Sequence, residues 1–291
     1  MEEKVSIIIP TFNRGNIISK SIYSVLNQTY KNLEVIVVDD GSTDNTNEII
    51  KSIKDERIKY IPLQHNSGAC IARNTGIKYS TGDYIGFNDS DDVFAEDKIE
   101  KQIKNIKKYN SDLDFCKIAI HSSNSVIFFP SNDQIEAVNH GQAFEKLAYG
   151  NYISTITILA KKKVFESFRF DDKLPRLQDY DLLLRTTKHF NLSYTDETLV
   201  NAYRQNDSIS SNINNVIPTA LIMLKKDYGF NEQLQDVFYS HLIQFCISCY
   251  VQVEKENNEQ TINGLKALIS DMENTKTWKI HNLINSIINR K

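Results

Sequence analysis

The chain has 291 residues, 41% hydrophobic and 24% charged, enough apolar material for one large α/β core with an appendage but not for two full domains. Its formal net charge of -3 gives no general pull toward nucleic acid, so no such partner is expected and any anionic ligand must be held by local groups. The start, Met1-Glu-Glu-Lys, lacks a basic stretch with an apolar segment and cleavage site, and nowhere do about 18 apolar residues run together. These features predict a cytoplasmic protein, attached at most to the inner face of a membrane.

Val5-Ser-Ile-Ile-Ile9, stopped by Pro10, is a β-branched run of the kind buried on both faces of a parallel sheet. Ile17, Ile18, Ile22, Val25 and Leu26 recur at helical spacing, and Leu33-Glu-Val-Ile-Val-Val38 returns to strand character, which completes a strand-helix-strand unit. A helix from about Asp44 to Lys54, capped by Asp44 or Thr43, precedes a strand at 58–61. A helix over 67–79 and a strand at 84–87 follow, the latter ending in Asn88-Asp-Ser-Asp-Asp92. This alternation predicts a doubly wound, mostly parallel sheet flanked by helices, with its ligand crevice beyond the carboxyl ends of the strands. After Glu96 the rhythm loosens: an amphipathic helix starting near Ala95 runs to about Tyr109, strands are expected over 113–120 and 125–129, and helices over 141–149 and 179–190. Beyond Ile217 the chain reads as wholly helical, so a boundary near residue 212 separates a core, 1–212, from a helical C-terminal extension, 213–291. Of the four cysteines only Cys246 and Cys249 are close, and without a second pair or nearby histidines all four read as free thiols.

Acidic residues stand at three places: Asp39-Asp40 after the second strand, Asp89 and Asp91 after the fourth, and Asp179 with Asp181. Each has an ordinary explanation, as an Asx turn, a helix cap, or first-turn partners of a helix dipole. Together, in the order a doubly wound sheet would bring to one rim, they require a cation, and an oxygen-only donor set favours Mg²⁺ or Mn²⁺ over zinc. Such an ion, held by one or two carboxylates, keeps positions open for phosphate oxygens, so a diphosphate is the natural guest.

Five ordered blocks then carry a resemblance: Val5 to Asn13, Ser24-Val-Leu-Asn-Gln-Thr29, Glu34 to Asp44, Asn66 to Gly76 and Gly82 to Asp92. They resemble family 2 inverting glycosyltransferases of the GT-A fold. The resemblance is dense over the first 110 residues and thin to about residue 210. It implies a nucleotide-binding half at 1–110 and an acceptor-side half at 111–212. It also implies that Thr11 and Phe12 line the nucleotide pocket, that Asp40 bonds the base of a UDP-sugar, and that Asn66 and Arg73 complete the donor site. Asp91 would be the main ligand of the Mn²⁺ or Mg²⁺ that bridges the diphosphate, with Asp89 on the ribose or behind the metal, while Asp92 caps the next helix. Asp179, in Leu177-Gln-Asp-Tyr-Asp181, matches the general base that activates the hydroxyl of an acceptor glycan or lipid-linked glycan.

Two departures stand out. Gln178 replaces the family's usual Glu, and Tyr203 to Ser210 lacks the histidine often found in that segment. Trp278, Ile280, Leu283, Ile284, Ile287 and Ile288 share a helical face beside basic residues, which suits core packing, a homodimer, or peripheral contact with a membrane. A sugar-phosphate nucleotidyltransferase would want a glycine-rich basic loop after the first strand, which Pro10-Thr-Phe-Asn-Arg-Gly15 fits poorly, while a non-catalytic nucleotide-sugar-binding module remains an alternative.

Overall fold

The computed structural model describes residues 2–122, 125–131, 134–135, 142–203 and 213–254. The expected closing segment after Tyr203, the first part of the 141–149 helix and the amphipathic tail from Trp278 lie in whole or part outside them.

The first compact unit holds Met1–Phe144, Tyr152–Asp172 and Gln178–Gln205. Its N-terminal part is β1 (Val5–Thr11), α1 (Ile18–Leu26), β2 (Leu33–Asp39), α2 (Thr46–Ser52), β3 (Ile58–Pro62), α3 (Ala69–Tyr79) and β4 (Tyr84–Phe87). The β-branched runs pair in parallel in the order β3-β2-β1-β4. Every residue of β1, β2 and β4 is buried, as an inner strand covered on both faces requires. Helix α3 lies directly on β1, because a Cβ at Gly76 would stand 2.3 Å from the Ile8 side chain.

The second half of the unit supplies β5 (Val93–Phe94), α4 (Lys98–Tyr109), β6 (Leu113–His121), β7 (Val126–Phe129), β8 (Leu159–Lys161), α6 (Lys162–Ser167), α7 (Gln178–Thr186) and β9 (Leu192–Tyr203), with α5 (Ala143–Leu147) at its margin. The sheet continues β4-β8-β6-β9-β5, with β7 on β6, and here pairing is mixed: β6 and β9 are parallel while β8, β5 and β7 run antiparallel to their neighbours. The helix expected near Ala95 begins at Lys98, because Val93 and Phe94 join the sheet edge against β9. β9 escapes a sequence reading because its register jumps: Cys116 faces Thr195 and Lys117 faces Thr198, so Asp196 and Glu197 bulge out. There they pair with Lys117 and Lys101.

The second unit comprises Glu145–Asn151, Lys173–Leu177 and the described residues from 213 on. α8 (Val216–Leu224) and α9 (Glu232–Glu254) share a core of Val216, Ile217, Ala220, Ile243 and Cys246. All four cysteines are free, with Cys249 only partly buried. No helix among the described residues is long and apolar enough to cross a membrane.

Candidate functional site

Parallel pairing of β2, β1 and β4 puts the segments after all three on one rim. The carboxyl ends of β2 and β4 flank that of β1, so Asp40 and the acidic loop are on the order of 10 Å apart, two strand spacings. Thr11 ends β1 opposite Asp39, and its carbonyl accepts the Asp40 amide at 2.8 Å. Its hydroxyl is buried without a hydrogen-bond partner, the condition of a group that a ligand would satisfy. Phe12, beside it, is 37% exposed, unusual for a large aromatic side chain next to a buried strand.

Asp40 is buried, and its two carboxylate oxygens accept the amides of Ser67 at 2.8 Å and Gly68 at 2.7 Å. A carboxylate has about four acceptor positions, so with two taken by these amides there is room for an N–H of a base. The approach of the 65–68 segment depends on Gly41, which has φ of +78° and whose missing Cβ would lie 2.8 Å from the His65 carbonyl carbon. Asn66 is exposed in that segment. Asp39 is structural instead: it accepts the Ser42 amide at 2.9 Å and the Tyr60 hydroxyl at 2.6 Å. Asn13, at φ of 52°, accepts the Thr43 amide at 2.8 Å, which ties the loop after β1 to the loop after β2.

The acidic loop meets helices α3 and α7 through one side chain. Arg73, buried on α3, donates from Nη2 to Asp89 Oδ1 at 2.8 Å and from Nη1 to Gln178 Oε1 at 3.4 Å, while its Nε is buried without a partner. The guanidinium therefore joins the loop after β4 to the first turn of α7, where Asp179 stands. Burial raises the Asp179 carboxyl above the usual range, against the opposing pull of the Tyr180 amide at 2.8 Å and the Arg73 charge. A carboxylate held this way is a stronger base than a solvated one. Asp181 belongs to the structure: fully buried, it is paired by Arg185 at 2.6 Å.

Asp92 is not a helix cap. Its Oδ1 accepts the Tyr203 amide at 3.1 Å, which fastens the acidic loop to the end of β9, and α4 begins six residues later at Lys98. Burial, then the charges of Asp89 and Asp91, push its carboxyl up to about 8. Three carboxylates thus fall within four residues, and all-oxygen donors fit Mg²⁺ or Mn²⁺. Among the described residues no three His, Cys, Asp or Glu side chains gather closely enough to hold an ion alone, so diphosphate oxygens would have to complete its coordination.

Sequence reasoning missed the face of α1 toward this loop. Ser21, Ser24 and Gln28, at helical spacing, bond 89–99 from below: Ser21 Oγ donates to the Asp89 carbonyl at 2.8 Å, Ser24 Oγ accepts the Phe94 amide at 3.2 Å, and Gln28 bonds Ala95 at 2.6 Å and Ile99 at 3.1 Å. The visible signal was Ser21 and Ser24 falling among the buried apolar residues Ile18, Ile22, Val25 and Leu26 of the helix, with Gln28 just past its end.

A parallel sheet ending in carboxylates and a buried arginine, continued by a mixed half that carries a second carboxylate helix, is the GT-A glycosyltransferase architecture. Solved structures with this fold include TarS 1-349 of Staphylococcus aureus in complex with UDP-GlcNAc, with a TM-score of 0.70 at 20% identity, over 91% of this chain and 80% of that one. The mannosyltransferase PcManGT of Pyrobaculum calidifontis, in complex with GDP-Man and Mn²⁺, aligns with a TM-score of 0.60 at 13% identity, over 98% and 85% of the two chains. The profile described as Glycosyl transferase family 2 matches residues 6–167. The UDP-Glc:alpha-D-GlcNAc-diphosphoundecaprenol beta-1,3-glucosyltransferase WfgD of Escherichia coli is 36% identical over 211 residues, 72% of this chain and 80% of the relative. The putative teichuronic acid biosynthesis glycosyltransferase TuaG of Bacillus subtilis is 29% identical over 72% and 82% of the two chains. The chain belongs to glycosyltransferase family 2 and is a glycosyltransferase.

Proposed function

We propose that this enzyme moves a sugar, with inversion, from a UDP-sugar or another nucleoside-diphosphate sugar to a hydroxyl of a lipid-linked or other glycan acceptor. Asp91 holds Mn²⁺ or Mg²⁺, and Asp179 is the general base. The observation that carries the reading is Arg73, whose guanidinium bonds the acidic loop through Asp89 and the first turn of α7 through Gln178, so that metal ligand and base can serve one donor. Residues 1–212 carry this chemistry.

In this account Thr11 and Phe12 enclose the nucleotide, Asp40 accepts the N3–H of uracil, and Asn66 closes the donor side. Mn²⁺ or Mg²⁺, when bound, offsets the charge that builds on the departing diphosphate. Asp179 takes the proton from the acceptor hydroxyl as that oxygen attacks the anomeric carbon opposite the leaving group, and in-line displacement inverts the centre. Its raised proton affinity makes it the better acceptor of that proton, while the Arg73 charge favours its ionised form. The lipid-linked acceptor is supported by the relative from E. coli, whose name specifies a diphosphoundecaprenol-linked GlcNAc.

UDP release measured over a panel of UDP- and GDP-sugars with Mn²⁺ or Mg²⁺, with and without lipid-linked acceptors, tests this reading. Metal-dependent release stimulated by acceptor supports it. Binding without release would mean a nucleotide-sugar-binding module.

A further inference from the structure

We propose that Ser21 and Asn88 form a polar brace whose task is to hold the acidic loop in its metal-binding shape, making both positioning residues for the ion. This rests on the assignment of Asp91 as metal ligand. The Asn88 side chain is fully buried, and its Nδ2 donates to Ser21 Oγ at 2.9 Å and to the Asp92 carbonyl at 3.3 Å. Ser21, also buried, passes the connection on by donating to the Asp89 carbonyl at 2.8 Å. The brace therefore grips the loop's main chain one residue after Asp91 and two before it, while the Asn88 amide itself donates to the Ile8 carbonyl at 3.0 Å in β1. Asp91 is suspended between two carbonyls fixed to α1.

The brace has a cost that points to function. Asn88 follows Phe87 into the core, and its Oδ1 is buried with no hydrogen-bond partner. Such an orphaned acceptor is destabilising, because it has given up water without gaining a partner. Chains retain features of this kind where a site requires them. The loop also gathers the carboxylates of Asp89, Asp91 and Asp92 within four residues, like charges that would splay apart unless the main chain between them is held. Groups that orient a metal ligand without touching the metal typically change its affinity about 10- to 100-fold when removed.

Isothermal titration of Mn²⁺ and UDP into the full chain, with thermal melts beside it, separates this role from a merely structural one. Asn88→Leu fills the same space without the orphaned acceptor, and Ser21→Ala cuts the other half of the brace. The expected result is about 10-fold weaker Mn²⁺·UDP binding for each, a raised metal requirement in UDP release, and a Tm for Asn88→Leu equal to or above the wild type. The double variant is expected to be no weaker than the weaker single one, because the two side chains act as a unit. Wild-type binding in both single variants overturns the brace, as does lost binding that only follows a lowered Tm. Failure of the wild type to bind Mn²⁺·UDP overturns the metal assignment instead.

Discussion

Replacing Arg73 by Met tests the link between the acidic loop and the base. The change keeps the buried volume roughly filled but removes the charge-assisted bond to Asp89 at 2.8 Å and the longer one to Gln178 at 3.4 Å. Bonds to charged groups are worth about 1.5–3 kcal/mol. Because the Asp89 side chain is 36% exposed, water can replace the lost donor, and the low end, about 1.5 kcal/mol, applies. For a domain of this size that is a Tm lower by roughly 3–6 °C. The larger effect is on Asp179: its carboxyl is already raised by burial, and Arg73 is the charge that opposes the rise. Activity that needs the carboxylate is present above its pKa and lost as pH falls through it, so removing Arg73 moves the acid limb of the kcat/KM profile to higher pH. Asp89 shares the guanidinium, so the displacement is smaller than an unshared opposite charge would give, but its direction is fixed. An acid limb that stays in place, or moves to lower pH, would refute the coupling.

Asp179→Asn is expected to reduce kcat by about 10² to 10⁴ while the Kd for UDP changes little, and full turnover in that variant would remove Asp179 as base. Gly41→Ala forces a side chain at φ of +78° against the His65 backbone, so the Ser67 and Gly68 amides should leave Asp40, with weaker UDP binding and a lower Tm in titration and melting. Glu34, although burial opposes it, is held below the usual carboxylate range by hydrogen bonds from Ser6, Thr81 and Lys4. Its stabilisation is therefore fully present above the unfolded value near about 4.3 and lost as pH falls through the lower folded value. Glu34→Gln should cost about 1–3 kcal/mol in urea unfolding at neutral pH, and the difference from wild type should shrink in acid.

The parallel half of the fold was legible because its strands are pure β-branched runs separated by helices of regular spacing. In the mixed half β6, β7, α4 and α7 were legible, but the remaining strands were not: β8 is three residues long, β5 two, and β9 is broken by the Asp196-Glu197 bulge, so none presents a clean period. Of the site, the carboxylates and Arg73 could be named from the blocks that carry them. What Asp92 does could not, since its partner is a backbone amide 111 residues away. Nor could the brace, because Ser21 and Asn88 are ordinary residues until α1 is laid under the acidic loop.

The central claim is that the segments ending β1, β2 and β4, with the start of α7, surround one metal-bound nucleotide. A crystal structure of the enzyme soaked with Mn²⁺ and UDP, with the anomalous signal used to locate manganese, tests it most directly. The account predicts manganese on Asp91 bridging the diphosphate, uracil against Asp40, and Asp179 facing the open side of that ion's pocket. Manganese and UDP bound away from Asp91, or uracil seated apart from Asp40, would contradict it.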